Sequence, residues 1–273
     1  MKRFPFWSWF WYIVGALYFL LPLYGTLDFS LRMKRGEISF LAYQRAFEDP
    51  QTVETFVFSN VMAVVTIIVS IVLIVPTAYW VHLRLPRLRP VIEFLTQLPF
   101  VIPAIVLVFG LITIFGRPFK VFSVTVLPPL TDTTLSTNAL LVAAYMVLAL
   151  PYFYRAVDTG LRAMDVRTLT EAAQSLGANW LTILWRVIFP NLRTALLSGA
   201  LLTFATVVGE LTIGNFLDRP VFAAHLWLLG QHRAYEPAAL SMVSYFLTWA
   251  AMVIIFLVTR GAPGQEGQVA GAH

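Results

Sequence analysis

The sequence predicts an all-α, polytopic transmembrane helical bundle of about six spans. Three observations predict it. Of 273 residues, 59% are hydrophobic and 12% charged, and the mean hydropathy is +0.76. A soluble domain carries roughly 25% charged residues, because it must cover itself with polar groups. The apolar residues fall in long unbroken runs. A membrane barrel would alternate with period two, so helices are the remaining way to satisfy the backbone in lipid. Finally, basic residues gather between the runs. In a soluble chain a net charge of +5 would raise the question of nucleic acid. Here its placement points to membrane orientation, with no nucleic-acid partner.

A crossing takes about 20 helical residues. Six segments qualify: Trp7 to Leu27, Thr55 to Val81, Val91 to Phe115, Asn138 to Phe153, Thr194 to Leu217, and Pro237 to Thr259. The first follows Lys2 and Arg3, as a signal peptide would. Its apolar part is too long for one and no small-residue cleavage site follows, so it reads as a span. The fourth is short and ends near Pro151. Asp28 to Glu54 reads as an interfacial stretch, and Arg117 to Thr137, with Pro118, Pro128 and Pro129, as an irregular loop. The tail over 261–273, rich in Gly, Ala and Gln, reads as disordered. The whole chain, 1–273, reads as one transmembrane domain with no soluble domain and no repeat.

Six spans place both termini on one side. That side carries 11 of the 19 Lys and Arg residues, which assigns it to the cytoplasm. It includes the long loop over 154–193. There are no cysteines, which excludes disulfides and thiolate chemistry. His82, His225, His232 and His273 show no ligand spacing, so no metal site is expected.

The 154–193 loop reads as two short helices with a break. Thr168 and Glu171 fit a capping box. Ala172 and Ala173 are strong helix formers, small enough to admit another protein's backbone. Gly177 suits a left-handed helix end, and Asn179 can cap a second helix. That helix, Trp180 to Ile188, places Leu181, Leu184, Trp185 and Ile188 on one face, and Pro190 ends it. On these grounds alone the loop is either a partner-binding element or a plain connector.

Glu171-Ala172-Ala173, three residues, Gly177, nine residues and Val187-Ile188-Phe189-Pro190 resemble the EAA loop of type I binding-protein-dependent ABC importer permeases. Val187 and Phe189 depart from the Ile and Leu of the family pattern but stay apolar. Leu98-Pro99-Phe100-Val101-Ile102-Pro103 is similar to the Leu-Pro-x-x-x-Pro segment of these permeases. Phe47-Glu48-Asp49-Pro50 and Pro76-Thr77-Ala78-Tyr79 resemble the spermidine/putrescine-type branch. The likeness covers about Phe40 to Val258.

The resemblance implies a permease subunit of a bacterial inner membrane. Glu171, Ala172, Ala173, Gly177 and Pro190 would couple it to a cytoplasmic ABC ATPase dimer. A second permease subunit and an extracytoplasmic solute-binding protein would complete the assembly. The chain has no Gly-x-x-x-x-Gly-Lys-Ser/Thr sequence. It is expected to bind no cofactor and to be no enzyme, with ATP and Mg held by the partner. A small polar or cationic solute such as a polyamine is implied; phosphonate, iron, thiamine or sugar are alternatives. A stand-alone secondary transporter or channel would leave the loop unexplained. Candidate pathway residues are Pro99 and Pro103 in the third span, and Glu210 and Asn215 in the fifth. Glu210 is a costly carboxylate in an apolar run. It either faces a water-filled route or serves a backbone or arginine partner.

Overall fold

The computed structural model describes residues 6–34, 36–121 and 124–259. The expected tail over 261–273 lies outside them. Twelve α-helices occur among the described residues, with one two-stranded hairpin.

The chain divides into two compact units. The first comprises 1–54 and 225–247. Its helix α1, Phe6–Leu31, contains Pro22, and α2 spans Leu41–Glu48. Ser30 and Tyr43 bond hydroxyl to hydroxyl at 2.9 Å, and Phe29 stacks on Tyr235 at 4.6 Å. Thr52 meets His225 Nε2 at 2.9 Å in a buried contact. Most of α1 is exposed, including Trp7, Trp11, Tyr18 and Phe19. Such a surface suits lipid or another protein, not water.

The second unit comprises 55–224 and 248–273. Helix α3, Pro50–Arg84, begins in the first unit and runs into it through Pro76. At 1.5 Å per residue its 35 residues exceed the roughly 30 Å of hydrocarbon, so its ends project beyond it. The third expected span is interrupted. Helix α4, Arg89–Gln97, and a tight turn over 98–100 are followed by a break. Helix α5, Ala104–Phe115, then leaves at about 100°.

The expected irregular loop after α5 instead pairs strands β1, Phe119–Val121, and β2, Val124–Leu127, antiparallel. The β-branched run around Val124-Thr125-Val126 favours that state over the coil suggested by the flanking prolines.

Helix α6, Thr134–Arg162, starts at Thr133, whose hydroxyl accepts from the Ser136 N–H. It is far longer than the expected 138–153. Pro151 lies inside it, so the proline does not end the span. Helix α9, Phe189–Val208, packs along α6. Gly160 makes that approach possible: a Cβ there would sit 2.7 Å from both Ala195 and Leu192.

Helix α10, Thr212–Phe216, follows a second break at 209–211, so the fifth expected span, 194–217, is also divided. Helices α11, Phe222–Gly230, and α12, Tyr235–Thr259, complete the chain. Among the described residues four helical runs are long and apolar enough to cross a membrane, 7–31, 50–84, 134–162 and 180–208, or five if α4 and α5 count as one broken span. The sixth expected span lies on α12, which is not among these runs.

The second unit holds two buried apolar clusters. One gathers Tyr79, Phe153, Leu161, Ile183, Ile188 and Leu192. The other gathers Ala63, Leu141, Tyr145, Val207, Ile213 and Leu217.

Candidate coupling segment and broken spans

The 163–179 segment is built around helix α7, Val166–Ser175. Its cap is Asp165, one position before the helix, and not Thr168 as the sequence predicted. The Asp165 carboxylate accepts from the Thr168 N–H at 3.1 Å and from the Thr168 hydroxyl at 2.7 Å. Those two bonds hold the Asp165 carboxyl below its usual range, with a further contribution from Arg167. The Thr168 N–H, from which Glu171 would accept in the expected capping box, is taken by Asp165. Glu171 pairs with Arg167 Nε at 2.8 Å, one turn away on an exposed face.

Helix α7 has an inner and an outer face. Val166, Thr170 and Ala173 are buried, at the i, i+4, i+7 spacing of a single stripe. Glu171, Ala172, Leu176 and Gly177 are exposed, with Leu176 at 89%. Of the two predicted alanines, Ala172 thus faces out and Ala173 faces the spans. Gly177 ends the helix with φ +80°, the left-handed conformation that a side chain disfavours.

Asn179 caps helix α8, Trp180–Ile183, by accepting from the Thr182 N–H at 2.8 Å. The expected stop at Pro190 does not occur. A π-helical turn over 184–188 joins α8 directly to α9, and Pro190, exposed, sits in the first turn of α9. Proline lacks an N–H and crowds the carbonyl one turn back, and the wider turn relieves that crowding. The extra residue also re-aims the helix. Ile183, Leu184 and Ile188 are buried, while Leu181 and Trp185 stand exposed, so the four-residue face expected from a uniform period is split.

One polar tie connects this segment to the spans, and a second joins the span ends beside it. The Tyr79 hydroxyl on α3 meets the Thr170 hydroxyl on α7 at 2.9 Å in a buried contact. Near the end of α6, the buried Asp158 binds His82, Arg89 and Arg162. The contacts of Thr170 with Tyr79 and of Asp158 with His82 and Arg89 were not legible in sequence, since those partners lie 69 to 91 positions apart. The only available signal was an acid inside an apolar helix.

Pro99, half-buried, lies in the 98–100 turn. Pro103, exposed, precedes α5 with φ −58° and ψ 141°. The two prolines remove two N–H donors at the place where the chain turns. The Leu98 carbonyl accepts from Val101 and Ile102, at 2.9 and 3.2 Å, which satisfies part of the freed backbone. Next to the break, Phe100, Tyr152, Arg155, Thr159, Ala195 and Ser198 help line a cavity of about 660 Å³ between α6 and α9.

The half-buried Glu210 turns its carboxylate back onto its own chain. It accepts from the N–H groups of Thr212 and Ile213, both at 2.8 Å, and Gly214 at 3.4 Å. These are the free donors of the first turn of α10. Asn215 is exposed on α10. Helix α10 packs on α5, with Phe109 and Phe216 5.0 Å apart, so the two interrupted spans are neighbours. Among the described residues no group of three or more His, Asp or Glu side chains could hold a metal ion.

Interrupted apolar spans with a capped helical segment outside them fit the class of protein that comparison shows for this chain, the multi-pass permease subunit of an ATP-binding-cassette importer. The chain belongs to the family described as binding-protein-dependent transport system inner membrane component, which matches residues 74–261. A probable molybdenum ABC transporter permease of Haloferax volcanii is 32% identical over 72% of this chain and 68% of its own length. A sulfate transport system permease of Synechocystis is 24% identical over 94% of this chain and 91% of its own. A spermidine/putrescine permease of Haemophilus influenzae is 23% identical over 73% and 71%. In fold, the chain resembles a bacterial alginate importer, with a TM-score of 0.65 over 93% of this chain and 95% of that one at 15% identity. It also resembles the MetNI methionine transporter, with a TM-score of 0.56 over 78% and 96% at 16% identity.

Proposed function

We propose that this permease subunit is driven through the outer face of α7, which seats in a groove of a separate ATPase. One observation carries the reading. Val166, Thr170 and Ala173 anchor α7 to the spans, leaving Glu171, Ala172, Leu176 and Gly177 exposed beside a capped turn. An exposed leucine beside an alanine and a glycine is a poor surface for water and a good one for a close-fitting partner. The ATPase dimer would bind ATP and Mg and close; the segment would then carry that movement into the spans. Driving a two-state equilibrium from 1:99 to 99:1 takes about 5.5 kcal/mol of differential binding, which nucleotide-driven closure can provide. A second permease subunit and an extracytoplasmic binding protein complete the assembly, and both termini lie in the cytoplasm.

The solute is small and polar in this reading. A polyamine is one version of it, supported by the Haemophilus relative; molybdenum and sulfate are named for the other two. Glu210 gives the polyamine version little support, because both of its oxygens already serve α10.

The decisive experiment is affinity purification of the tagged chain from its native membranes, as wild type and as Ala172→Trp. A bulky ring at this exposed position should reduce ATPase recovery by at least about tenfold, an interface loss of roughly 1.4 kcal/mol or more. Equal recovery overturns the coupling role. Binding of putrescine and of sulfate to the co-purified binding protein then decides the polyamine version.

A further inference from the structure

One carboxylate near the end of α6 collects nitrogen partners from three separate helices. Asp158 has a side chain only 8% exposed. His82 Nε2 on α3 lies 2.8 Å from its Oδ1. Arg89 Nη2, at the start of α4, reaches both oxygens at 3.1 and 3.3 Å. Arg162 Nε donates at 2.8 Å from the next turn of α6. Glu93 closes the ring, pairing with Arg89 Nε at 3.0 Å and with Arg162. The last turn of α3, the first turns of α4 and the last turns of α6 therefore meet on a single acid. One turn before His82, Tyr79 holds Thr170 on the inner face of α7.

A cluster of this kind is a poor way to gain stability, because well-packed apolar residues would do as well at lower desolvation cost. What it supplies is direction. Apolar side chains slide over one another at little cost, whereas a carboxylate with three fixed donors accepts one arrangement. The remaining inner-face contacts of α7, Val166 and Ala173, are apolar and carry no such restriction.

We propose that Asp158 is a positioning residue that joins the ends of α3, α4 and α6 into one rigid body. The Tyr79–Thr170 bond extends that body to α7. Movement of α7 then reaches α4 and, through it, the break between α4 and α5. This role presupposes the reading of the outer face of α7 as the driven surface, but the rigid link itself can be measured without any partner.

The chain contains no cysteine, so introduced pairs can be spin-labelled cleanly. Phe94→Cys on α4 and Leu176→Cys after α7 are both exposed positions that straddle the proposed body. In the full chain, reconstituted in lipid nanodiscs, this pair should give a single narrow distance. Asp158→Asn and Tyr79→Phe should each lose it, and Asp158→Glu should restore it. A reporter pair away from the cluster, Ile105→Cys with Leu135→Cys, should stay narrow throughout. A narrow Phe94–Leu176 distance in Asp158→Asn overturns the proposal, and so does broadening of both pairs, which would mark general loosening. Should Asp158→Asn not fold, Tyr79→Phe decides, since it removes only a hydroxyl; a narrow distance there overturns the proposal. Failure of ATPase recovery to respond to Ala172→Trp would remove the driven surface and leave this result intact.

Discussion

The chain interrupts helix in two contrasting ways. Between α6 and α8 the exposed ends are capped by two short side chains, Asp165 and Asn179, each serving the turn that follows. Between α9 and α10 a half-buried Glu210 is committed to three backbone N–H groups. The difference follows from the solvent. Where water is at hand, a missed cap costs little and the rest of the surface is free for a partner. Where a backbone group is part-buried, water replaces a lost partner less readily, and leaving it unsatisfied costs about 1–3 kcal/mol. The same residue type thus does different work: Glu171 is exposed and pairs with the side chain of Arg167, while Glu210 is occupied by backbone N–H groups.

The largest expected effect falls on the second interruption. Glu210→Ala removes the acceptor of three N–H groups at once and should abolish the monodisperse, cooperatively melting species in detergent. Glu210→Gln retains one acceptor oxygen and should fold with a lowered melting temperature. A wild-type melting curve for Glu210→Ala would break the comparison. Gly177→Val comes next. A β-branched residue at φ +80° costs roughly 1–2 kcal/mol or more, so hydrogen exchange over 166–178 should rise about tenfold with that of α6 unchanged.

Smaller still is the effect at Asp165, which concerns acid. The folded carboxyl titrates below its ordinary value of 3.8. Its contribution is therefore complete above that value and disappears as the pH falls through the lower folded one. Asp165→Asn keeps a good capping oxygen and should make α7 exchange insensitive to acid, while Asp165→Ala should speed exchange at every pH. The smallest effect is Arg167→Gln. It breaks an exposed pair with Glu171, and such pairs contribute little. The melting temperature should be unchanged, and any loss of ATPase recovery then measures recognition alone.

The sequence made some of this plain and concealed the rest for identifiable reasons. Apolar runs marked the membrane helices but not the breaks in the third and fifth expected spans, and Gly177 and Asn179 were legible because their roles are local. The capping box misled because Thr168 and Glu171 have the right spacing, but Asp165 stands one turn earlier and caps better there. Pro99 and Pro103 signalled a disturbance in the third span; its size, about 100°, depends on neighbours that no local pattern encodes. Pro151 and Pro190 were read as stops because isolated helices stop at proline. Tertiary packing overrides that in α6, and a wider turn absorbs it before α9. In the Asp158 cluster only the i,i+4 pairs with Arg162 and between Arg89 and Glu93 are local; His82 and Arg89 are brought to Asp158 by the fold.

The π-helical turn at 184–188 has a consequence for comparing such chains. A wide turn holds one residue more than an ordinary one. Deleting a single residue there would return the helix to regular winding, and the 180–183 turn would keep its seat above α9. Insertion of a residue elsewhere in α9 would instead rotate everything before it by about 100° and shift it by about 1.5 Å. A one-residue gap at this point in an alignment therefore disturbs the register of what precedes it less than a gap of the same size ten residues later, at the cost of renewed crowding by Pro190.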